Sequence, residues 1–413
     1  MSSTTPKYPL GVCIGKFYPP HAGHLYLMQF ARLASTRLVI FVCERGDRIE
    51  TPSGERRAAW VRAAFPTADV RMVIDTYDQD DSALWARLTV DWLNGVVPDA
   101  VFTSESYGDN YARCLTELAE GAKTCAHVAV DRARIAWPVC GTDVRAAPLH
   151  PRFWSLIPRL GEGDRAADLI RSDLHVTSLL PPYLRAYYAL RVILVGAEST
   201  GKSTLAARLA EKFGTRWVHE YGRDATEAKI AAGDVETVVN NDSAAPTCAW
   251  KSADFVEIAQ AQTAMERAAA AAEDTRRVLV CDTDSLATII WHERYMAPDV
   301  FMNGTGELGD EFCAAAARLE AIATQHADEG HPDHTVYLVP DVKKVPFVQD
   351  GTRDGEQIRE RMYERFLAEL DARNKEYVVL HGDTYDARVD EAVAVIERKL
   401  DELSRLPGQS ESS

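Results

Sequence analysis

Short apolar runs recur along the chain and alternate with longer amphipathic stretches. In the first half the runs cover residues 10–14, 38–43, 70–74, 100–103 and 126–130, and in the second half 191–195, 217–220, 278–281, 335–339 and 377–380. Strands that alternate with helical segments are typical of parallel, doubly wound sheets. The pattern therefore predicts an α/β protein with two such domains, 1–186 and 187–405, and a flexible tail over 406–413.

Three helical segments stand out between the runs. A helix that begins at His21 or Ala22 would turn Leu25, Met28 and residues 30–33 toward the first sheet. The alanine-rich stretch 259–273 predicts an amphipathic helix, and residues 148–188 predict a helical extension followed by a connector. We find no internal repeat.

Composition narrows the class of protein. A chain of 413 residues exceeds what a single core usually fills, which again favours two domains. A net charge of −16 repels polyanions, so we expect no nucleic-acid partner, and without a long apolar run we expect no membrane partner. The eight cysteines are scattered, which favours reduced thiols and a cytoplasmic location. The sequence leaves self-association open.

The strongest motif lies in the second half. Residues 196–203 read Gly-Ala-Glu-Ser-Thr-Gly-Lys-Ser, which matches a phosphate-binding loop between a strand and a helix. In that loop Lys202 reaches the phosphates and Ser203 binds Mg²⁺, with Asp282 at a strand end as a second Mg²⁺ ligand. Asp284 more readily caps a helix. The predicted ATP-binding residues here are Gly196, Ser199, Thr200, Gly201, Ser203 and Thr204.

A second phosphate-binding pattern lies at residues 15–24, after the first strand. His21 and His24 are three residues apart and share one face at a helix N-terminus, where backbone N–H groups favour anions. Gly23 allows close approach, and Lys16 adds positive charge. The two histidines could instead form a zinc pair or lie on the surface. Thr142 and Arg145 could contact the same triphosphate from the opposite side.

These residues resemble a known family. Gly-Lys-Phe-x-Pro-x-His-x-Gly-His at 15–24, with Gly-Thr-x-x-Arg at 141–145, resembles the nucleotidyltransferase superfamily. Together with Thr-Ser-Glu-Ser-Tyr-Gly at 103–108, it looks most like the bifunctional nicotinamide-mononucleotide adenylyltransferase and ribosylnicotinamide kinase family. The resemblance covers both halves in order. It implies a Rossmann-like nucleotidyltransferase followed by a P-loop kinase.

For the first half the resemblance implies transfer of AMP from ATP to nicotinamide mononucleotide (NMN), which gives NAD. Its catalytic residues would be His21, His24, Lys16 and Arg145. Its ATP-binding residues would be Gly15, Phe17, Gly23 and Thr142. Its substrate-binding residues would be Arg57, Trp60, Glu105 and Tyr107. Core packing is the alternative for Trp60, and a structural role is the alternative for Glu105 and Tyr107.

For the second half the resemblance implies phosphorylation of ribosylnicotinamide to NMN with Mg²⁺ and ATP. Glu220 would orient or deprotonate the 5′-hydroxyl, with a surface carboxylate as the alternative, and Tyr221 and Arg223 would bind the nucleoside. Residues 346–353 resemble a family lid whose Arg353 supplies charge to the transferred phosphoryl group. Arg359 and Arg361 could do the same, although Arg361 is better placed to pair with acidic neighbours on a helix.

Two departures from the family pattern set the rival interpretations. Cys140 stands where serine is common, and Asp143 places an anion beside the expected phosphate site. The first domain could therefore be weakly active or regulatory beside an active kinase. A third possibility is a sensor that binds nucleotide or NAD without turnover. Because about ten residues precede the first strand, we expect no N-terminal helix-turn-helix and no repressor activity.

Overall fold

Both predicted sheets are present in the computed structural model, which describes residues 6–77, 81–154, 178–240, 243–272, 274–343 and 358–405. The chain divides into two compact units, one formed by residues 1–184 with 404–413 and the other by 185–403. Within the described ranges no helix is long and apolar enough to cross a membrane. The predicted 406–413 tail and most of 155–177 lie outside the described residues.

The first unit is built on a five-stranded parallel sheet in the order β3-β2-β1-β4-β5. Every neighbouring pair runs parallel, with Val12 of β1 paired to Val39 of β2 and to Val101 of β4. The strands are β1 Tyr8–Gly15, β2 Ser35–Arg45, β3 Asp69–Asp75, β4 Ala100–Thr103 and β5 Ala126–Ala129. The order reverses between β1 and β4, which is where α/β sheets usually bind ligands.

Helices connect these strands and cover the sheet. They are α1 Ala22–Ala34, α2 Gly54–Ala64, α3 Ser82–Trp92, α4 Gly108–Leu118, α5 Gly141–Ala146 and α6 Pro151–Trp154. In α1, Leu25 and Met28 are buried as predicted. The prediction for residues 30–33 was partly wrong, since Phe30 and Leu33 are 37% and 42% exposed. They lie on the outer side of a helix whose buried stripe continues instead through Ala31.

The second unit has its own parallel sheet in the order β12-β11-β6-β10-β7. Its strands are β6 Leu190–Leu194, β7 Trp217–Val218, β10 Val278–Asp282, β11 Thr335–Pro340 and β12 Tyr377–Leu380. The strand predicted at 217–220 ends at Val218, because β7 pairs with β10 over only two residues at the sheet edge. The fold class, two doubly wound parallel-sheet domains, is confirmed.

Helices cover this second sheet. The unit also contains a two-stranded hairpin that the sequence did not predict. The helices are α7 Pro182–Tyr188, α8 Lys202–Phe213, α9 Tyr221–Ala232, α10 Ser252–Ala271, α11 Ser285–Met296, α12 Pro298–Asn303, α13 Asp310–Glu329, α14 Arg359–Ala372 and α15 Tyr385–Ser404. The hairpin pairs β8 Val235–Asn240 with β9 Ser243–Cys248 in antiparallel register. The alanine-rich helix is α10, which begins seven residues earlier than predicted.

Candidate active sites

The histidine loop of the first unit lies between β1 and α1. His21 is the N-cap of α1, and its ring stacks on that of His24 with centroids 3.8 Å apart. His24 Nδ1 donates to the carbonyl oxygen of Pro19 at 3.2 Å. A Cβ on Gly23 would come within 3.2 Å of the His21 ring, so glycine keeps this corner open. The structure thus brings the two histidines together at the start of a helix.

Both histidines titrate well below the ordinary range. Burial, then the neighbouring His24 and the cations Arg134 and Arg145, lower the pKa of His21 well below 6.5. Burial outweighs the Pro19 hydrogen bond at His24 and lowers its pKa to about 4. The imidazoles are therefore neutral at pH 7, and positive charge around them comes from arginines. A bound anion would raise the pKa of both histidines, against the lowering caused by the arginines.

A cavity of about 190 Å³ opens at the carboxyl edge of this sheet. Gly15, Lys16 and Tyr107, all predicted site residues, line it. It is also lined by residues that sequence reasoning missed: Ile14, Cys43, Asp75, Ser82, Trp85 and Tyr111. Lys16 Nζ lies 3.9 Å from the Asp75 carboxylate, which is 2% exposed. The available signal was the position of Asp75 at the end of a predicted strand, since parallel strand ends meet at one edge.

Arg57 lies behind the loop, with its side chain fully buried. Its guanidinium forms a 2.5 Å ion pair with Glu50 and donates to the carbonyl oxygens of Lys16, Cys43 and Pro52. These contacts hold the loop backbone, and a contact between Arg57 and a substrate stays a prediction. Trp60 is half-buried and stacks on Tyr183 at 5.3 Å between ring centroids.

Thr142 and Arg145 lie on α5, beside the loop. Arg145 donates to the carbonyl oxygen of Tyr18 and, at 3.2 Å, to Thr142 Oγ1. The two departures from the family pattern have local partners. Cys140 Sγ accepts from the backbone N–H of Asp143 at 3.4 Å and so caps α5, and the Asp143 carboxylate pairs with Arg152 at 2.7 Å. An anion already paired with arginine repels phosphate less than an unpaired one.

Glu105 is exposed and lies away from the buried part of the cavity. Its carboxylate accepts from Arg134 at 2.7 Å, and its backbone N–H donates to Thr103 Oγ1 at 3.3 Å. Phe17 packs edge-on against His24 with centroids 5.2 Å apart. Glu105 thus holds a cation that lowers the pKa of both histidines, and its contact with a substrate stays a prediction.

The phosphate-binding loop of the second unit joins β6 to α8. Gly196, Ser199 and Gly201 have φ values of 131°, 56° and 84°, and glycine at two of these positions avoids the steric cost of the left-handed region. Lys202 Nζ donates to the carbonyl oxygen of Ala197 at 2.8 Å, as does Thr200 Oγ1 at 3.0 Å. Thr204 is exposed on α8. The loop is preformed, with α8 beginning at Lys202.

Two carboxyl groups meet beside this loop. Asp282 ends β10, is 1% exposed and accepts a hydrogen bond from Ser203, while its Oδ1 has no hydrogen-bond partner within the described chain. Burial raises the pKa of Asp282. Burial, then the nearby Asp282, raises the pKa of Glu220 to about 7, against the opposing effect of Lys202 and Arg223. Five predicted site residues therefore interact electrostatically with one another: Lys202, Ser203, Glu220, Arg223 and Asp282.

Other predicted residues of this unit have clear positions. The backbone N–H of Tyr221 donates to Gln262 Oε1 at 3.0 Å, and Arg359 donates to the carbonyl oxygen of Ser199 at 3.4 Å. Arg361 donates to the Phe301 carbonyl and lies 3.9 Å from Glu364, which confirms that it pairs on its helix. Arg353 and the predicted lid at 346–353 lie outside the described residues.

The corner after β10 separates two carboxylates. Asp284 caps α11 by accepting from the Ala287 N–H at 3.0 Å, which confirms the predicted cap, and it also accepts from Tyr337 Oη at 2.7 Å. Between it and Asp282, Thr283 has a φ of 81°, which is rare for a β-branched residue. The Thr283 N–H donates to the Leu194 carbonyl at 2.9 Å and so ties the corner to β6.

Comparisons with known proteins agree with this architecture. A family model described as an AAA domain matches residues 191–388. The trifunctional NAD biosynthesis/regulator protein NadR of Escherichia coli (strain K12) is 24% identical over 419 residues, which cover 96% of this chain and 84% of that protein. A crystal structure of NadR in complex with NR aligns with a TM-score of 0.64 at 19% identity, covering 99% of this chain and 100% of that chain. A crystal structure of NadR in complex with NAD and AMP-PNP aligns with a TM-score of 0.62 at 19% identity, covering 95% of this chain and 96% of that chain.

Fold and site together define a class: an α/β protein with two parallel-sheet domains, the second of which carries a P-loop. In each domain a loop joins a strand to a helix N-terminus, at 15–21 and at 196–201. Within that class, the chain is homologous to the NadR proteins.

Proposed function

We propose that the protein is a bifunctional enzyme of NAD biosynthesis that phosphorylates ribosylnicotinamide to NMN and adenylates NMN to NAD, using ATP for both steps. The observation that supports this most directly is that each unit has a loop that joins a strand to a helix N-terminus, where backbone N–H groups favour phosphate. The names of the relatives, which describe NAD biosynthesis and complexes with NR, NAD and AMP-PNP, support the choice of substrates.

In the kinase unit, backbone N–H groups of the 196–203 loop and Lys202 bind the phosphates of ATP. Ser203 and Asp282 would hold Mg²⁺, since the buried Asp282 Oδ1 has no protein partner in the described ranges and lies beside the loop. Bound there, the ion would neutralise phosphate charge. Glu220 accepts the proton of the 5′-hydroxyl as that oxygen bonds to the γ-phosphorus and the bond to the β-γ bridging oxygen breaks, releasing ADP.

In the first unit, the 5′-phosphate oxygen of NMN attacks the α-phosphorus of ATP, and the bond to the bridging oxygen of pyrophosphate breaks. No covalent intermediate with the enzyme is needed, so the chain contributes orientation and charge. Lys16 and Arg145 supply cations, His21 supplies a ring N–H donor at the start of α1, and His24 supplies one once it has taken up a proton. The cavity that contains Asp75 and Trp85 has room for the mononucleotide base.

Two substitutions test the two-site proposal. Lys202→Ala should lower kinase activity at least about 100-fold and leave conversion of supplied NMN to NAD unchanged, whereas His24→Ala should do the reverse. Lys212→Ala, an exposed lysine in the same helix as Lys202, is the matched control and should leave both activities intact. Loss of both activities in both variants would refute the assignment of one reaction to each unit.

A time course on the unmodified protein separates the rivals. With Mg²⁺, ATP and ribosylnicotinamide, the proposal requires NMN first and NAD after it. NMN that accumulates without NAD would leave only the kinase and make the first unit weak or regulatory. ATP binding without turnover of either substrate would point to a sensor. The Cys140 cap and the Asp143–Arg152 pair favour an active first unit, because the cap stabilises α5 and the pair weakens the repulsion between Asp143 and phosphate.

A further inference from the structure

Tyr18 lies between two arginines in the first unit. The guanidinium of Arg57 lies 4.9 Å from the centre of its ring, and that of Arg145 lies 4.3 Å from it. Arg145 also donates to the backbone carbonyl oxygen of Tyr18. One residue therefore contacts a cation that belongs to the loop scaffold and a cation that belongs to the predicted triphosphate site. Such cation–π contacts favour a fixed guanidinium orientation.

The two arginines differ in how their charge is compensated. Arg57 pairs with the buried carboxylate of Glu50 at 2.5 Å. The described contacts of Arg145 are neutral: a carbonyl oxygen, the Thr142 hydroxyl and the Tyr18 ring. Three of the five guanidinium N–H groups of Arg145 remain beyond those two hydrogen bonds. Its positive charge and its planar donors are thus available to an anionic ligand.

The position of Tyr18 is itself fixed. Its hydroxyl accepts from the backbone N–H of Thr51 at 3.0 Å, which links it to the segment that leads into α2. A Cβ at position 141 would come within 2.5 Å of the Tyr18 carbonyl oxygen, so Gly141 lets α5 approach that carbonyl. The histidine loop, the 50–57 segment and α5 therefore converge on this one side chain.

We propose that Tyr18 is a positioning residue for adenylyl transfer: it holds the Arg145 guanidinium, which pairs with no carboxylate among the described residues, in the orientation that binds the polyphosphate of ATP. This inference rests on the adenylyltransferase activity proposed above. Ordering a free arginine side chain costs conformational entropy, and a preformed platform lowers that cost before the ligand arrives.

Two substitutions at Tyr18 separate ring from hydroxyl. Tyr18→Leu removes the aromatic face and should lower kcat/KM for ATP in adenylyl transfer about tenfold, while the KM for NMN stays within about twofold. Tyr18→Phe keeps the face, loses only the Thr51 hydrogen bond and should stay within about threefold of the parent. Unchanged kinase activity and a normal circular dichroism spectrum show that each variant is folded.

A double-mutant cycle decides whether Tyr18 acts through Arg145. In an Arg145→Ala background, Tyr18→Leu should cause no further loss. An equal tenfold loss in that background, a Tyr18→Phe variant as damaged as Tyr18→Leu, or a Tyr18→Leu variant within twofold of the parent would each overturn the proposal.

A binding measurement keeps this test separate from that of the proposed function. In a Lys202→Ala background, which removes phosphoryl transfer, ATP affinity is measured by calorimetry with and without Tyr18→Leu. If the parent forms no NAD, the proposed adenylyl transfer fails, yet a roughly tenfold weaker ATP site in the Tyr18→Leu variant would still support the positioning role. Equal affinities would overturn it.

Discussion

The stacked pair His21 and His24 is neutral in the structure, which has a consequence for nucleotide binding. Because His24 Nδ1 donates its proton to the Pro19 carbonyl, the other ring nitrogen of the neutral imidazole carries a lone pair. A lone pair facing a phosphate oxygen is repulsive, whereas a protonated nitrogen donates to it. We therefore expect ATP to bind together with a proton.

At pH 6 the free His24, with a pKa of about 4, is almost entirely neutral. The negative charge of bound ATP raises that pKa, so binding to the first unit should take up about one proton. Calorimetric titrations in buffers of different ionisation enthalpy measure this number. His24→Gln should take up about one proton less than the parent, and equal proton counts for the two proteins would contradict the prediction.

Glu220 predicts a pH dependence for the kinase reaction. Its pKa, raised to about 7 by burial and by Asp282, leaves it half protonated at neutral pH. As the proton acceptor it must be ionised, so kcat/KM for the nucleoside should fall about tenfold for each pH unit below 7. Glu220→Gln should be slow and lack this dependence. Glu227→Gln, exposed on the same helix, should keep the parental profile, and a Glu220→Gln profile with the same acid limb would assign the titration to another group.

Individual residues could be predicted where a motif states the chemistry directly. The 196–203 loop and the 15–24 loop are local in sequence, so spacing alone brings Lys202 near Ser203 and His21 near His24. The partners of Arg57 could not be predicted, because Glu50 and the backbone carbonyls of Lys16, Cys43 and Pro52 are brought to it by the fold and no pattern encodes them. Asp75 and Trp85 reach the cavity only through the strand order.

At the scale of elements, α10 and α13 are joined by a buried polar chain that ends near the kinase site. Gln262 accepts from the N-terminal turn of α9 and donates to Glu266 at 3.2 Å, and Glu266 contacts His326 Nε2 at 2.7 Å. Glu266 is fully buried. Burial alone would lower the pKa of His326, but hydrogen bonds to Glu266 and Glu329 raise it to about 9.

The hydrogen-bonded series Gln262–Glu266–His326 predicts that the stability of the fold depends on pH. Because the folded pKa of His326 is raised, its contribution is complete below the ordinary pKa of about 6.5 and is lost as pH rises through about 9. His326→Gln should lower the free energy of unfolding by about 3 kcal/mol at pH 6.5, since it leaves Glu266 buried without its partner. Urea denaturation between pH 6.5 and 9.5 measures this difference, which should shrink with rising pH.

The matched control for that experiment is His381→Gln. The His381 side chain is 68% exposed and pairs with Asp341. It should change the unfolding free energy by less than about 1 kcal/mol at any of these pH values. A His326→Gln variant with the same stability as the parent at pH 6.5 would show that the Glu266 contact contributes nothing net.

Most elements were predictable because the parallel strands are apolar runs, and central ones such as β4, β6 and β10 are buried on both faces. The hairpin was not. Its second strand reads Ser-Ala-Ala-Pro-Thr-Cys, where alanine and proline are poor strand formers, and Pro246 lies opposite Thr237 in an antiparallel pair. The exposure of Phe30 and Leu33 was also not predictable, since the apolar stripe of α1 is wider than the face that the helix buries.

For the whole molecule, the proposed reactions are linked by chemistry, since the product of the kinase unit is the substrate of the other. The described residues of each site come from its own unit, so we expect NMN to leave the kinase site and mix with the bulk pool. With labelled ribosylnicotinamide and excess unlabelled NMN, label in newly formed NAD should fall in proportion to the dilution. Undiluted label would indicate direct transfer.

Ser404, at the end of α15, belongs to the first unit, where its hydroxyl donates to the buried Leu149 carbonyl at 3.0 Å. The intervening residues 185–403 form the second unit, so a growing chain completes its first domain only after the ribosome has made its second. At roughly 5–20 residues per second that delay is on the order of 10–45 s. The sheet of the first unit is therefore made well before residue 404, and it lacks one of its final contacts until that residue has been synthesised.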